Sequence, residues 1–230
     1  MNNGIHTLYK DYQHTSGLVF WNEMQLIKRE YIEKYLVSGI SEILLKINKS
    51  WTLHKFEAPI LTPVELINSN YTENDFFRAS DLILRPETTS GSYTVAKNLI
   101  NNGKKPPLCV YQMGKSFRKE SSEQSLNTHK RFTEFHQLEF QCLYSTNSKA
   151  DYYNFVLDNI LNILNGLTAK ELRLIESDRI PSYSLKTMDI EIKTTEKWLE
   201  ICSISLRNDF EKDILNVEIA FGMDRMVLTI

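Results

Sequence analysis

Long apolar runs are absent from this sequence, and so are linkers. No segment reaches the length that a membrane-spanning helix needs, and the start Met1-Asn2-Asn3-Gly4 lacks the basic and apolar run of a secretory signal. No tract rich in Gly, Ser or Pro and no internal repeat divides the chain. An excess of one charge is missing too. A formal net charge of −2 excludes wholesale coating of nucleic acid, so any RNA contact must be local. Cysteine is scarce: Cys109, Cys142 and Cys202 are widely spaced, with no CxxC and no paired histidines nearby, which argues against a disulfide framework or a zinc site and fits a reducing cytosol. What remains, 230 residues at 42% hydrophobic content, is enough to bury a core as one large domain, and predicts a soluble cytoplasmic protein without a membrane partner.

Hydrophobic spacing supplies the elements. From about Asn22 to Asn48, Ile27, Tyr31 and Tyr35, then Ile32, Leu36, Ile40, Ile43, Leu44 and Ile47, recur every three or four residues, predicting a long amphipathic helix weakened near Gly39. Pro59 and Pro63 exclude a helix from Phe56 to Pro63 and suggest an edge strand. A second helix is expected from Ser90 through Leu99, ended by Asn102-Gly103, and a third after Ser148 and Asp151, a start resembling a capping box, carrying Tyr152, Phe155, Val156, Ile160 and Ile163. The last third switches to period two over residues 187–193, 197–207 and 216–221. Helices interspersed with neighbouring strands joined by short turns imply an α+β fold around an antiparallel sheet.

The densest chemistry lies in Gln112-Met113-Gly114-Lys115-Ser116-Phe117-Arg118-Lys119-Glu120 and in Arg131-Phe132-Thr133-Glu134-Phe135 with Glu139. Side chains two apart on a strand share a face, so Ser116, Arg118 and Glu120 would face one way, as would Phe135, Gln137, Glu139 and Gln141. A guanidinium fork matches phosphate oxygens and an aromatic plate suits adenine; the same pattern also fits a hairpin with an ordinary surface ion pair. Further on, Glu200 would share a face with Trp198, Cys202 and Ile204. A carboxylate there needs either a partner, with Arg207 at hand, or a cation such as magnesium. Glu218, Ala220 and Gly222 line one face of the last strand, small enough at two positions to admit a ligand, and Arg225 follows, with Asp224 or another acid as its ordinary partner. Lys104, Lys105, Lys115, Lys119, Lys130 and Arg131 form the available basic cluster, of which Lys104 and Lys105 read as solvated surface.

Taken in order, these blocks resemble the catalytic core of class II aminoacyl-tRNA synthetases, most of all the glycyl-tRNA synthetases of the eukaryotic and archaeal type. Leu84-Arg85-Pro86-Glu87-Thr88-Thr89-Ser90-Gly91 resembles LRPETAQG; Gln112 to Glu120 resembles QIGNSFRNE; Arg131, Glu134, Phe135 and Glu139 fall on RVREFTMAE. Asp189-Ile190-Glu191 with Thr194, Trp198 and Glu200 resembles DAEIQTSYGWIEC, Arg207 sits on the arginine of GIADR, and Glu218 to Arg225 resembles EPSFGLGR. Pro59 and the long helix resemble the dimerisation motif of the class, and Ser16-Gly17-Leu18-Val19-Phe20-Trp21 is similar to threonyl synthetases. Ala220, Ser203 and Leu206 depart from a serine, a glycine and an aspartate of the pattern, and the loss of a hydroxyl at Ala220 bears on amino-acid recognition.

The resemblance implies ATP-dependent activation of an amino acid, glycine first, to an aminoacyl-adenylate, with transfer to a tRNA. ATP would meet Arg118, Lys119, Glu120, Arg131, Phe135, Glu200, Ile201 and Arg225, with Arg118 on the α-phosphate, Arg225 on the γ-phosphate, Phe135 and Glu120 on adenine, and Glu200 coordinating magnesium. The amino acid would meet Glu87, Glu139, Arg207, Glu218 and Ala220. A homodimer touching a tRNA acceptor stem is implied, as a single catalytic domain over residues 1–230 without an anticodon-binding domain. Two alternatives stay open: a free-standing ligase with a non-tRNA acceptor, and a non-catalytic accessory subunit derived from a synthetase.

Overall fold

The computed structural model describes residues 18–67, 71–119, 131–178, 180 and 182–230. Glu120, Lys130 and the segment before Leu18 lie outside the described residues. The chain order is α1 (Glu23–Ile47), β1 (Thr52–Lys55), β2 (Leu61–Pro63), β3 (Phe77–Ala79), β4 (Leu82–Leu84), α2 (Thr89–Asn101), β5 (Leu108–Phe117), β6 (Glu134–Ser145), α3 (Tyr152–Asn165), β7 (Leu172–Glu176), β8 (Ser184–Lys193), β9 (Trp198–Glu211), β10 (Ile214–Gly222) and α4 (Met223–Thr229). Seven strands form the main sheet in the order β1-β5-β6-β10-β9-β8-β7. Only β1 runs parallel to its neighbour; every other pairing in that sheet is antiparallel. A small sheet, β2-β4-β3, stands apart, and Pro63 sits on its edge strand β2, where a missing backbone N–H costs no ladder bond. The expected edge strand is thus two short pieces, β1 before Phe56 and β2 from Leu61, with irregular backbone between.

Helix α1 starts at a capping box, in which Asn22 Oδ1 accepts from the Gln25 N–H and Gln25 Oε1 accepts from the Asn22 N–H, each at 3.0 Å. Of its two apolar stripes, Ile32, Leu36, Ile40, Ile43 and Leu44 face the core, whereas Ile27 and Tyr31 stay exposed. The helix runs unbroken through Gly39. A Cβ there would lie 2.9 Å from Ile163 Cγ2, so glycine lets α1 and α3 approach closely. The third helix is capped by Asp151, whose carboxylate accepts from the Asn154 N–H, rather than by Ser148.

One face of the main sheet is apolar and lies under α1, α3 and α4, with Phe140, Phe221, Ile190, Ile192, Ile204 and Ile219 at its centre. Phe140 stacks on Tyr111 and meets Phe221 edge-on, contacts whose loss on truncation to alanine costs about 3–5 kcal/mol. Cys109 and Cys142 are paired directly across β5 and β6 in this core, as free thiols with sulfurs 3.5 Å apart, although far apart in sequence. The opposite face is polar over much of its width.

A bulge in β9 decides which residues reach that polar face. Ile190 pairs with Cys202 while Glu191 pairs with Glu200, so Ile201 is an extra residue and the alternation shifts there. Glu200 therefore shares its face with Ser203, Ser205 and Arg207, and not with Cys202 and Ile204 as uniform period two implies. Trp51 Nε1, Tyr153 Oη and Asn216 Oδ1 are buried without a hydrogen-bond partner among the described residues. No helix among the described residues is long and apolar enough to cross a membrane.

Candidate functional site

Strand register assembles the site in rows across the polar face. One row runs Gln112, Glu139, Ala220, Ser203, Asp189; the next runs Gln141, Glu218, Ser205, Thr187. Ser116 and Phe135 form a third at the end of the β5–β6 pair. Helix α2 and the loop before it close over the first two rows. Its first turn carries Thr88, Thr89 and Ser92, and their hydroxyls all donate to Glu139: Thr88 to Oε2, Thr89 to Oε2 at 3.2 Å and Ser92 to Oε1 at 3.1 Å. Gln141 Nε2 donates to both Glu139 and, at 2.7 Å, Glu218, bridging the two carboxylates. Both oxygens of Glu139 are thus engaged, and the group is fully buried. Burial, then the charge of Glu218, push its carboxyl up to about 7 despite these donors.

Arg207 balances this corner. It is 1% exposed, donates through Nη1 to Glu218 Oε2, and grips Asp209 with two bonds, Nε to Oδ1 at 3.0 Å and Nη2 to Oδ2 at 2.7 Å. Its guanidinium also lies 3.7 Å from the ring centre of Tyr183 and 4.6 Å from that of Tyr93. Burial alone would lower its pKa, but Glu218 and Asp209 raise it instead, so it stays charged. The acids that Arg207 serves are therefore Glu218 and Asp209, and not Glu200 as their shared strand suggested. Tyr93 and Asn216 extend the network. The Tyr93 hydroxyl donates to Asp209 at 2.9 Å and accepts from Asn216, whose amide also reaches Gln141. Neither residue was singled out from sequence; the signal was their polarity at strand and helix positions facing inward.

Glu87, from the loop before α2, accepts from the Tyr71 hydroxyl at 2.9 Å, and burial followed by the charge of Glu218 raises its pKa. Arg118 lies beside it at the end of β5. Its Nε donates to the Pro86 carbonyl at 3.0 Å, and its guanidinium stands 4.9 Å from the Phe135 ring centre and 5.4 Å from that of Tyr71. Arg118 and Phe135 are thus brought together as the spacing implied. Arg85 fixes the loop that carries Glu87. Buried, it donates to the carbonyls of Lys115, Ala58 and Pro59, and this geometry needs Gly114, where a Cβ would lie 2.2 Å from Arg85 Nη2.

At the other end of the face, Arg225 opens α4 and turns back to β9, donating to the Glu200 carbonyl at 2.9 Å with Glu200 Oε2 3.7 Å away. Its acid partner is Glu200, while Asp224 bonds elsewhere. The Ile201 side chain is in the core, so only its backbone is available to a ligand on the polar face. Lys119 and Arg131 are exposed beside the described ends of the β5–β6 connection. Lys115 pairs with Glu134 across the two strands, and Lys104 and Lys105 are exposed. No group of three or more His, Cys, Asp or Glu able to hold a metal occurs among the described residues. Glu200 is the carboxylate positioned beside the arginine at this end, and one such oxygen donor suits magnesium bound largely by phosphates.

Comparisons with known proteins identify the family. The family model of the tRNA synthetase class II core domain (G, H, P, S and T) matches residues 72–228. The glycine–tRNA ligase of Mycoplasma capricolum is 33% identical over 150 residues, covering 63% of this chain and 32% of the relative; that of Mycolicibacterium paratuberculosis is 32% identical over 136 residues, 56% and 29%. The chain thus spans about a third of the length of the curated relatives it matches. In fold it is similar to a pyrrolysyl tRNA synthetase from Desulfitobacterium hafniense, with a TM-score of 0.63, 16% identity and coverage of 86% of this chain and 67% of that one. With the mostly antiparallel sheet, its arginine and carboxylate clusters on one face, and a family match over most of its length, the chain belongs to the class II tRNA synthetase core family.

Proposed function

We propose that this domain uses ATP to activate an amino acid, glycine first among candidates, as an aminoacyl-adenylate, and that a tRNA 3′ hydroxyl receives the product. The observation that carries the amino-acid half is the surplus of carboxylates at one end of the polar face. Glu87, Glu139 and Glu218 are buried together, and two of them hold their protons more tightly than usual, a field that an ammonium group would satisfy. Glu87 and Glu218 would meet the ammonium, with Glu139 behind them through Gln141. The glycine–tRNA ligases to which this chain is similar support glycine.

The nucleotide half rests on Arg118, Phe135 and Arg225. Adenine would lie along Phe135, Arg118 would hold the α-phosphate, and Arg225 the γ-phosphate. The amino-acid carboxylate then attacks the α-phosphorus in line as the bond to pyrophosphate breaks. Arg118 and Arg225 stabilise the charge that develops, and no protein nucleophile is needed. Glu200 would hold magnesium, which supplies charge neutralisation of the phosphates when bound. Glu120, outside the described residues, belongs to the same reading through sequence alone. The exposed apolar residues of α1, Met24, Ile27 and Tyr31, fit the homodimer that the long helix implies.

The test is pyrophosphate exchange into ATP, measured with magnesium and each amino acid in turn, followed by acylation of total tRNA. Exchange with glycine above all others, then charging, is expected. Exchange without charging removes tRNA as the acceptor, and no exchange with any amino acid overturns the reading.

A further inference from the structure

Asp224 sits at the start of α4 immediately before Arg225, buried on the side of the sheet away from the polar rows, at 2% exposure. In EPSFGLGR, the pattern this segment resembles, a glycine holds the position. The Asp224 carboxylate reaches across to β6. Its Oδ2 accepts from the backbone N–H of His136 at 3.0 Å, and its Oδ1 lies 3.2 Å from His136 Nδ1. Arg29, from the middle of α1, completes the cluster, with Nη1 3.2 Å from His136 Nδ1 and 3.9 Å from Asp224 Oδ1, and its guanidinium 5.8 Å from the Trp21 ring centre. His136 follows Phe135 directly in β6, as Asp224 precedes Arg225.

From this geometry we infer that Asp224 is a positioning residue for ATP, because its bond to the His136 backbone fixes the separation between the adenine plate Phe135 and the phosphate arginine Arg225. A carboxylate accepting a backbone N–H in a buried setting is strong and directional, and it joins the two elements through single residues adjacent to the ligand-bearing ones. Arg29 sets a positive charge beside the pair and anchors it to α1. His136 Nδ1 carries at most one proton. It donates to Asp224 or accepts from Arg29, not both, so the main-chain N–H of His136 is the bond that persists in either tautomer. The inference rests on the functional reading above, since it names what Asp224 positions.

The experiment uses Asp224→Ala and Asp224→Asn. In the exchange assay, Asp224→Ala should raise KM for ATP and lower kcat/KM for ATP about tenfold to about hundredfold, the loss expected for a buried bond to a charged group, while KM for the amino acid stays within about twofold. Asp224→Asn keeps an acceptor for the His136 N–H and should return KM for ATP to within about threefold of the parent. A merely structural role predicts a lower melting temperature with KM for ATP unchanged, or with both substrates affected alike. Either result overturns the inference. Should Asp224→Ala fail to fold, Arg29→Met removes the α1 partner and keeps Asp224, and KM for ATP should rise about threefold, as for loss of one partly exposed ion pair, with no rise overturning the role. Calorimetric titration of parent and variants with ATP and magnesium separates the two claims. Absent exchange in the parent overturns the functional reading, whereas equal ATP affinity in parent and Asp224→Ala overturns the positioning role.

Discussion

Replacing Arg207 by methionine should be the most damaging single change in the site, and the reason is the company it leaves behind. Arg207 donates to Glu218 and twice to Asp209, and it covers the rings of Tyr93 and Tyr183. Methionine retains most of the stem but leaves buried Glu218 without its cation, in a corner that already contains Glu139 and Glu87, and strips the exposed Asp209 of its guanidinium partner. Removing one partner of a buried pair costs about 3–5 kcal/mol, because the other charge stays desolvated and unbalanced. Against a total stability of roughly 5–15 kcal/mol that is about a fifth or more of the whole, and at about 2–4 °C per kcal/mol for a chain of this size the melting temperature should fall by roughly 6–20 °C. Thermal unfolding followed by circular dichroism at pH 7, with urea titration as a second probe, measures it. Combining the change with Glu218→Gln removes one stranded charge, so the double variant should be more stable than Arg207→Met alone. A loss below about 1 kcal/mol in the single variant, the size of a surface pair, or a double variant less stable than the single one, would refute the claim that Arg207 is the counter-charge of this cluster.

Stability should also depend on pH through Glu139. Its carboxyl titrates at about 7 in the folded chain against an ordinary 4.5, so the folded state holds the proton more tightly. That contribution is fully present below about 4.5 and is lost as pH rises through about 7; Glu139→Gln, which mimics the protonated form, should flatten this slope and be more stable than the parent at pH 8, and an unchanged slope in urea titrations across that window would contradict it. Gly114→Ala drives a methyl group into the Arg85 guanidinium and should cost about 1–3 kcal/mol in urea unfolding, displacing the loop that carries Glu87; a neutral result would show that Arg85 can move aside.

How much of this was legible in the sequence depends on range. Local periodicity was enough to find α1, α2, α3 and the three long C-terminal strands, because each buries a regular stripe or, on either side of the β9 bulge, a regular face. It could not choose between the two stripes of α1, since only the sheet beneath decides that Ile32 and Leu36 go in while Ile27 and Tyr31 stay out. Strands β1, β3, β4 and β7 are three to five residues long and too short to print a period. The bulge at Ile201 is a matter of pairing with β8, and it moved Glu200 to the polar face beside Ser203. The same limit governs the site. Spacing of two placed Arg118, Phe135 and Glu139 correctly relative to their own strands. Partner choice was invisible: Arg207 could have met Glu200, and Arg225 could have met Asp224, until the register set Arg207 against Glu218 and the turn into α4 sent Arg225 to Glu200. The Cys109–Cys142 contact was hidden in the same way, being a product of β5–β6 alignment.

The claim on which the whole account turns is that Arg118 grips ATP for amino-acid activation. Glycine-dependent pyrophosphate exchange by the parent and by Arg118→Ala, side by side with their melting curves, tests it most directly. Exchange in the parent, its loss in the variant and melting curves that coincide are expected; exchange that survives in folded Arg118→Ala would contradict the role of Arg118.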